Sequence, residues 1–154
     1  MRRSGLLLRR LKRRTVRRIA CRLARFSRLN CVASGADGLR FAYHPVERGT
    51  TELLPCWQTG TTFRTREIAA GNLDKSSLYG GWMAGRGPRY CPSIEAEFTE
   101  HRERSSHVVF LELEGRDTEE VYVQGTSNSL PECVQRELIR SIEGLGSAQI
   151  RRPA

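Results

Sequence analysis

The first thirty residues of this 154-residue chain contain no aspartate or glutamate, yet they hold twelve of its 26 arginine and lysine side chains. The other 124 residues carry seventeen acidic side chains against fourteen basic ones. The net charge of +9 therefore belongs to the N-terminal fifth of the chain. Such a segment binds phosphates or anionic surfaces without sequence preference. The alternative is a solvated arm with no binding role.

The chain also lacks closely spaced cysteines. Its five cysteines, at positions 21, 31, 56, 91 and 133, form no CxxC pair, and its three histidines show no ligand spacing. This argues against a zinc site. The apolar run Leu6-Leu7-Leu8 is too short for a signal peptide or a membrane span. We therefore expect free thiols, a cytoplasmic location and no membrane partner, with an organellar transit peptide as the alternative reading of the Arg-rich start.

Residues 6–29 match a helical template, because apolar side chains recur on one side of it. Arginines would cover the opposite face. We predict a basic amphipathic helical arm over residues 1–30, followed by a body over residues 31–154. The candidate RNA-binding side chains on this arm are Arg13, Arg14, Arg17 and Arg18.

Alternating apolar residues predict the strands of the body. The segments "HVVFLELEG" and "EEVYVQG", joined by "GRDTE", are typical of an antiparallel pair. "LLPCW" predicts a short buried strand that ends there, and "AQI" predicts the start of another. Phe41 and Tyr43 alternate with small or polar neighbours and predict one further short strand.

Two segments of the body predict helices. "TTFRTREIAAGNL" contains a helix start with Thr61 or Thr62 as the N-cap. "SLPECVQRELIRSIEGLG" is the strongest helical pattern, with Ser129 as the expected N-cap and Pro131 in the first turn. Its expected buried face consists of Val134, Leu138 and Ile142.

The stretch "GRGPRYCPSIEAEF" (85–98) is stiff, because each of its prolines lacks an N–H group and fixes φ. The planar guanidinium of Arg89 can donate two parallel hydrogen bonds to a phosphate or a carboxylate. The same cation would favour the thiolate of Cys91 and make it nucleophilic. The alternatives are that Cys91 is a small buried hydrophobe and that Arg89 only pairs with a carboxylate such as Glu95.

Several motifs in one order point to a family. "GPRYCPSIE", "FLELEG", "EVYVQGTSNSLP" and "VQRELIRSIEGL" follow one another with its spacing, and "ELLPCW" and "SLYGG" agree. On these motifs the chain resembles the tRNA uridine 5-carboxymethylaminomethyl modification enzymes (MnmG or GidA, glucose-inhibited division protein A). The resemblance runs from about Glu52 to Pro153. It covers only part of a typical member, without the glycine-rich flavin fingerprint and the C-terminal helical region.

The resemblance implies an α/β fold: part of a Rossmann-like FAD/NAD(P)-binding domain with its inserted α+β lobe, here preceded by the basic helical arm. It implies FAD, NADH and a methylene-tetrahydrofolate donor as cofactors. It also implies tRNA as substrate, modified at the wobble uridine together with a partner GTPase, and a homodimer as one assembly. Because the fingerprint is missing, we expect little activity from this chain alone.

The resemblance places residues 87–95 at the nucleotide and flavin side of a catalytic cleft. It makes Cys91 the candidate nucleophile, towards C6 of a uracil ring or in support of a reduced-flavin adduct. Glu95 is the second candidate catalytic residue, as a base or as an orienting group, and Tyr90 would stack on a ring. The candidate cofactor-binding residues are Gly87, Pro88, Arg89, Tyr90, Cys91, Pro92, Ser93, Ile94 and Glu95.

Some positions depart from the family pattern. A Thr-His pair of the family is Thr65-Arg66 here, and a position that is usually lysine is Glu97. "RLKRRTVRRI" stands where the family has a flavin-side "RLKTGTPPR"-like loop, which conflicts with the helix predicted for this segment. The alternative function is therefore a small basic RNA-binding protein without catalytic activity.

Overall fold

A six-stranded antiparallel sheet organises the part of the chain that the computed structural model describes, residues 15–20, 24–32, 54–81 and 93–153. Its strand order is β2-β3-β4-β5-β1-β6. Every pairing between neighbouring strands is antiparallel. The strands are β1 (Thr15–Ala20), β2 (Asn30–Val32), β3 (Cys56–Gly60), β4 (Val108–Leu113), β5 (Glu120–Asn128) and β6 (Ile150–Arg152).

The predicted pair of β4 and β5 is confirmed. Leu111 lies opposite Val123, and both side chains are fully buried. Their outward neighbours Phe110 and Tyr122 are only half-buried, so alternation puts one face of the hairpin into the core. Gly125 has a φ of +89°, and a Cβ on it would lie 2.7 Å from the carbonyl oxygen of Val108. Only glycine fits this position without strain.

The helix predicted over residues 6–29 is wrong where the structure describes it, because Thr15–Ala20 form β1 between β5 and β6. Ile19 and Ala20 are fully buried there. The β-branched residues of this segment favour a strand, and arginines four residues apart repel one another in a helix. Pairing with β5 and burial of Ile19 decide the outcome. Further along, Phe26–Arg28 form a single 3₁₀ turn.

The first described helix, α1 (Phe63–Ala70), begins where the sequence predicted, with Thr62 as its N-cap. The Thr62 hydroxyl accepts the N–H of Thr65 at 3.2 Å, and the Thr65 hydroxyl accepts the N–H of Thr62 at 3.0 Å. This capping box satisfies two N–H groups that a helix start otherwise leaves free.

The helix α3 (Glu132–Arg140) is confirmed, with Val134 and Leu138 on its buried face. Ile142 is also buried, but it lies two residues beyond the end of the helix. Its predicted cap is wrong, because Pro131 is the N-cap residue. The backbone N–H and the hydroxyl of Ser129 bond Glu95 instead. Cys133 on this helix is exposed.

A third helix, α2 (Ile94–Glu100), packs with α1 and α3 into one apolar core against the sheet. The expected mixed α/β class is confirmed, and the described sheet is antiparallel. β3 begins at Cys56, where the predicted "LLPCW" strand was expected to end, and it is only half-buried. The predicted strand start at "AQI" is confirmed by β6.

The predicted strand at Phe41 and Tyr43 lies outside the described residues, as does the proline-rich segment 85–92. Within the described residues, none of the helices has the length and apolar character needed to span a bilayer.

Candidate functional site

Glu95 is the centre of the candidate site. Ser93 caps α2 by accepting the N–H of Ala96 at 3.2 Å, which turns the next residues inward. Glu95 follows in the first turn and is fully buried. A charged side chain in such a place requires hydrogen-bond donors, because desolvation of an isolated carboxylate costs several kcal/mol.

One oxygen of Glu95 is well satisfied. Its Oε1 accepts the backbone N–H of Ser129 at 2.8 Å and the Ser129 hydroxyl at 3.2 Å. The Ser76 hydroxyl donates to the same oxygen at 3.3 Å and lies 2.8 Å from the Ser129 hydroxyl oxygen. Glu95 therefore connects the start of α2 with the segment after α1 and with the turn between β5 and α3.

The other oxygen of Glu95 is buried and has no hydrogen-bond partner among the residues that the structure describes. Buried polar atoms of proteins are nearly always paired. An unpaired carboxylate oxygen is a strong acceptor, so its chemistry fits an incoming N–H or O–H group. This is the feature of the described residues that most resembles a ligand site.

Sequence reasoning selected Glu95 but missed Ser76 and Ser129 as its partners. Ser129 was expected to cap α3, which is what a serine before a proline normally does. No pattern in the sequence links Ser76 to a carboxylate nineteen positions later, because the contact is made by tertiary packing.

The other predicted site residues fall into two groups. Ser93 serves as the helix cap, and Ile94 is buried in the core cluster. Both remain predicted cofactor contacts. The remaining candidates lie outside the described residues, so the geometry between Arg89 and Cys91 stays a prediction. These candidates are Gly87, Pro88, Arg89, Tyr90, Cys91 and Pro92.

Cys56 is the described cysteine with the most sheltered thiol. It is half-buried, and burial raises its pKa, with a further contribution from the carboxylate of Glu112. A raised pKa keeps the thiol protonated and unreactive. Cys31 and Cys133 are exposed and free.

A buried histidine, His107, packs against α2. The Nδ1 atom of His107 is 3.4 Å from a carboxylate oxygen of Glu97, and its ring meets Phe98 edge-on at 5.0 Å. Burial lowers the pKa of His107, while the Glu97 charge opposes part of this effect. The Nε2 atom is buried and has no partner within the described part of the chain. The guanidinium of Arg66 lies over the Phe98 ring, so two of the departures from the family pattern, Arg66 and Glu97, lie close to His107.

Two of the four predicted RNA-binding arginines lie on the described backbone. Arg17 and Arg18 belong to β1, and Arg18 is the direct cross-strand partner of Arg152 on β6. The exposed Arg152 also pairs with Glu120 at 3.2 Å. Arg13 and Arg14 lie outside the described residues.

Fold and site together define a mixed α/β domain in which an antiparallel sheet and three helices enclose a buried acidic site. The family model "Glucose inhibited division protein A" matches residues 1–154, and the chain belongs to this family. The match includes the basic N-terminal segment, so the resemblance extends beyond the range from Glu52 to Pro153 recognised in the sequence. The division of the chain at residue 30 remains a prediction.

Two curated proteins that are similar to this chain carry the same name. A tRNA uridine 5-carboxymethylaminomethyl modification enzyme MnmG of Exiguobacterium sibiricum is 44% identical over 149 residues, which is 97% of this chain and 24% of that protein. The MnmG of Geobacillus thermodenitrificans is 43% identical over 96% of this chain and 23% of that protein. The chain therefore spans about a quarter of the length of the curated relatives it matches.

The solved structures agree with this assignment. GidA of Aquifex aeolicus in its form I crystal superposes with a TM-score of 0.79 at 40% identity, over 90% of this chain and 24% of that chain. Its form II crystal gives a TM-score of 0.75 at 35% identity. The family is flavin-dependent, and the relatives named MnmG are tRNA-modifying enzymes.

Proposed function

We propose that this chain forms part of the catalytic region of a flavin-dependent enzyme that modifies the wobble uridine of tRNA by carboxymethylaminomethyl addition. One observation carries the proposal: relatives that are named for this activity match 97% of the chain at 44% identity. The alternative of a purely RNA-binding protein has less support, because a basic arm alone explains neither the buried Glu95 nor its unpaired oxygen.

The described residues fit a flavin in one respect. Within residues 15–20, 24–32, 54–81 and 93–153, the buried second oxygen of Glu95 is an acceptor without a donor, and a flavin presents a ring N–H and ribityl hydroxyl groups as donors. Glu95 would hold such a group, while Ser76 and Ser129 hold the carboxylate in place through its other oxygen. When bound, the flavin would supply redox chemistry, with NADH as the expected source of reducing equivalents.

The neighbouring proline-rich segment would supply the remaining groups. Arg89 would bind a phosphate of the cofactor or of the tRNA. A Cys91 thiolate would attack C6 of the uracil ring, forming a carbon–sulfur bond while the C5–C6 π electrons move towards the C4 carbonyl oxygen. Glu95 would orient the donor group that faces it. All three roles are inferred from residue chemistry and the family resemblance.

The basic segment would contact the tRNA backbone through Arg13, Arg14, Arg17 and Arg18, because guanidinium groups release counterions from phosphates. Within this proposal the chain works in the cytoplasm, beside a partner GTPase, with homodimer formation as one assembly. The register pair of Arg18 and Arg152 fixes the backbone of part of this basic segment in the sheet.

A chimera tests the function directly. The matching segment of the Exiguobacterium sibiricum relative would be replaced by this chain and expressed in cells that lack the native enzyme. We expect nucleoside mass spectrometry of the tRNA to detect the carboxymethylaminomethyl uridine. A chimera that folds and binds flavin but leaves the uridine unmodified would overturn the proposal. A chimera that carries Cys91→Ser should bind flavin and lose the modification.

A further inference from the structure

A cavity of about 270 Å³ lies between α1 and α2. Its walls are largely apolar, since Ala69, Leu73 and the Phe98 ring contribute to them. Small side chains on α1 leave the space open. A cavity of this volume accommodates one small ring system, below the usual range for larger ligands.

One end of this α1–α2 cavity is cationic. Arg66 from α1 and Arg102 just beyond α2 both line it. The Arg66 guanidinium is fixed in place, because Nη1 donates to the carbonyl oxygen of Arg102 at 2.8 Å and Nη2 donates to that of Arg104. Its carbon lies 5.6 Å from the centre of the Phe98 ring.

These two cations lack counterions in the described part of the chain. No described carboxylate lies within 4.0 Å of the guanidinium nitrogens of Arg66 or Arg102, whereas Arg64 on the same helix pairs with Glu67 at 3.3 Å. A guanidinium has five N–H donors, so Arg66 retains donors beyond the two that carbonyl oxygens accept.

The other end of the cavity is acidic. Ser76, which follows α1, bonds Glu95 at the start of α2, while Arg66 bonds the segment after α2. Glu95 at the start of α2 and Arg102 just beyond its end therefore line the cavity from the two ends of this helix, and Arg66 contacts Arg102. A ligand with a negative group would orient it away from Glu95 and towards Arg66 and Arg102.

We propose that the α1–α2 cavity binds a small aromatic anion, a planar ring that carries a carboxylate or a phosphate. The ring packs against Phe98, Ala69 and Leu73, and the anionic group receives N–H bonds from Arg66 and Arg102. Planar guanidinium groups match both anions with paired hydrogen bonds. This proposal assumes no bound flavin and so goes beyond the function proposed above, although Glu95, the residue proposed there to hold a flavin group, also lines the cavity.

Titration of the ¹⁵N-labelled 154-residue chain with benzoate, phenyl phosphate and the uncharged benzamide tests the proposal. We expect saturable shifts of the amide signals of Ala69, Ala70 and Thr99 with the two anions. Benzamide should bind at least about tenfold more weakly, since it lacks the charge that the arginines recognise. Arg66→Gln should lower the affinity for the two anions by a similar factor. Arg64→Gln should leave that affinity unchanged.

A second variant tests the site independently, in case Arg66→Gln does not fold. Ala70 is exposed and lines the cavity, so Ala70→Phe should fill the space without disturbing the core, and it should abolish the shifts. The inference is overturned if benzamide and benzoate bind equally well, if the shifts persist in Ala70→Phe, or if neither anion produces saturable shifts in the wild-type chain.

Discussion

Ser129 donates its backbone N–H and its hydroxyl to the same carboxylate oxygen of Glu95, at 2.8 and 3.2 Å. The two residues are 34 positions apart in the chain, so this contact holds the β5–α3 turn against α2. It also keeps the second oxygen of Glu95 in a fixed, buried place. Structure and proposed chemistry therefore depend on the same side chain.

Removal of the Glu95 carboxylate should destabilise the fold. Glu95→Ala leaves the N–H of Ser129 and one of the two serine hydroxyl groups without an acceptor, and we expect a loss of about 2–4 kcal/mol in the free energy of unfolding. Urea unfolding followed by far-UV circular dichroism measures it. The control Glu137→Gln, exposed on α3, should change stability by less than about 0.5 kcal/mol. Equal effects of the two variants would contradict the described role of Glu95.

His107 should make stability depend on pH. Its pKa in the folded chain is lowered from the usual 6.5 by burial, so the unfolded chain binds more protons as the pH falls through that value. The free energy of unfolding should therefore decrease as the pH falls below about 7, by at most about 1.4 kcal/mol per pH unit. The decrease ends below the folded-state pKa.

Replacement of His107 isolates this effect. In His107→Gln the decrease in stability between about pH 7 and pH 5.5 should be smaller than in the wild type. Gln124→Asn, at an exposed position without a titratable group, should retain the wild-type slope. Thermal unfolding at a series of pH values measures both variants, and an unchanged slope in His107→Gln would refute the assignment.

Gly125 should not tolerate a side chain. Its φ of +89° and the 2.7 Å approach of the Val108 carbonyl oxygen predict that Gly125→Ala costs about 2–3 kcal/mol in the free energy of unfolding. At Gly115 a Cβ would meet only the Thr118 methyl group at 3.5 Å, so Gly115→Ala should cost far less. Chemical denaturation of both variants makes the comparison, and similar losses would exclude the proposed clash.

The N-cap of α1 should contribute measurably to stability. The Thr62 hydroxyl accepts the N–H of Thr65 and donates to the carbonyl oxygen of Ser141 at 3.0 Å, which links α1 to the end of α3. Thr62→Ala should lower the free energy of unfolding by about 1–2 kcal/mol. Thr62→Ser keeps the hydroxyl and should recover most of this loss in the same denaturation assay.

Local patterns in the sequence were sufficient to predict the helices and strands whose structure depends on residues close together in the chain. The hairpin of β4 and β5 follows from strict alternation and a short polar turn. The start of α1 follows from Thr62, and the buried face of α3 follows from the spacing of Val134 and Leu138. In each case the residues that decide the structure lie within a few positions of one another.

The elements that sequence reasoning missed depend on distant partners. β1 has apolar residues at helical spacing, but it becomes a strand because β5 and β6 lie on either side of it. Ser129 has the chemistry of a helix cap, but a carboxylate from α2 takes its donors. Glu95 could be selected as a candidate site residue, whereas its pairing and its unpaired oxygen required the packed fold.

The place of β1 in the sheet has a consequence for folding. Ile19 pairs with Val121 and with Ile150, so both partners of this strand are synthesised roughly a hundred or more residues later. Closing so long a loop is slow, and non-local pairing of this kind lowers folding rates. While the ribosome makes the intervening chain, the backbone donors and acceptors of β1 have no strand to pair with. The nascent segment therefore offers a chaperone an apolar, positively charged target until the sheet closes around it.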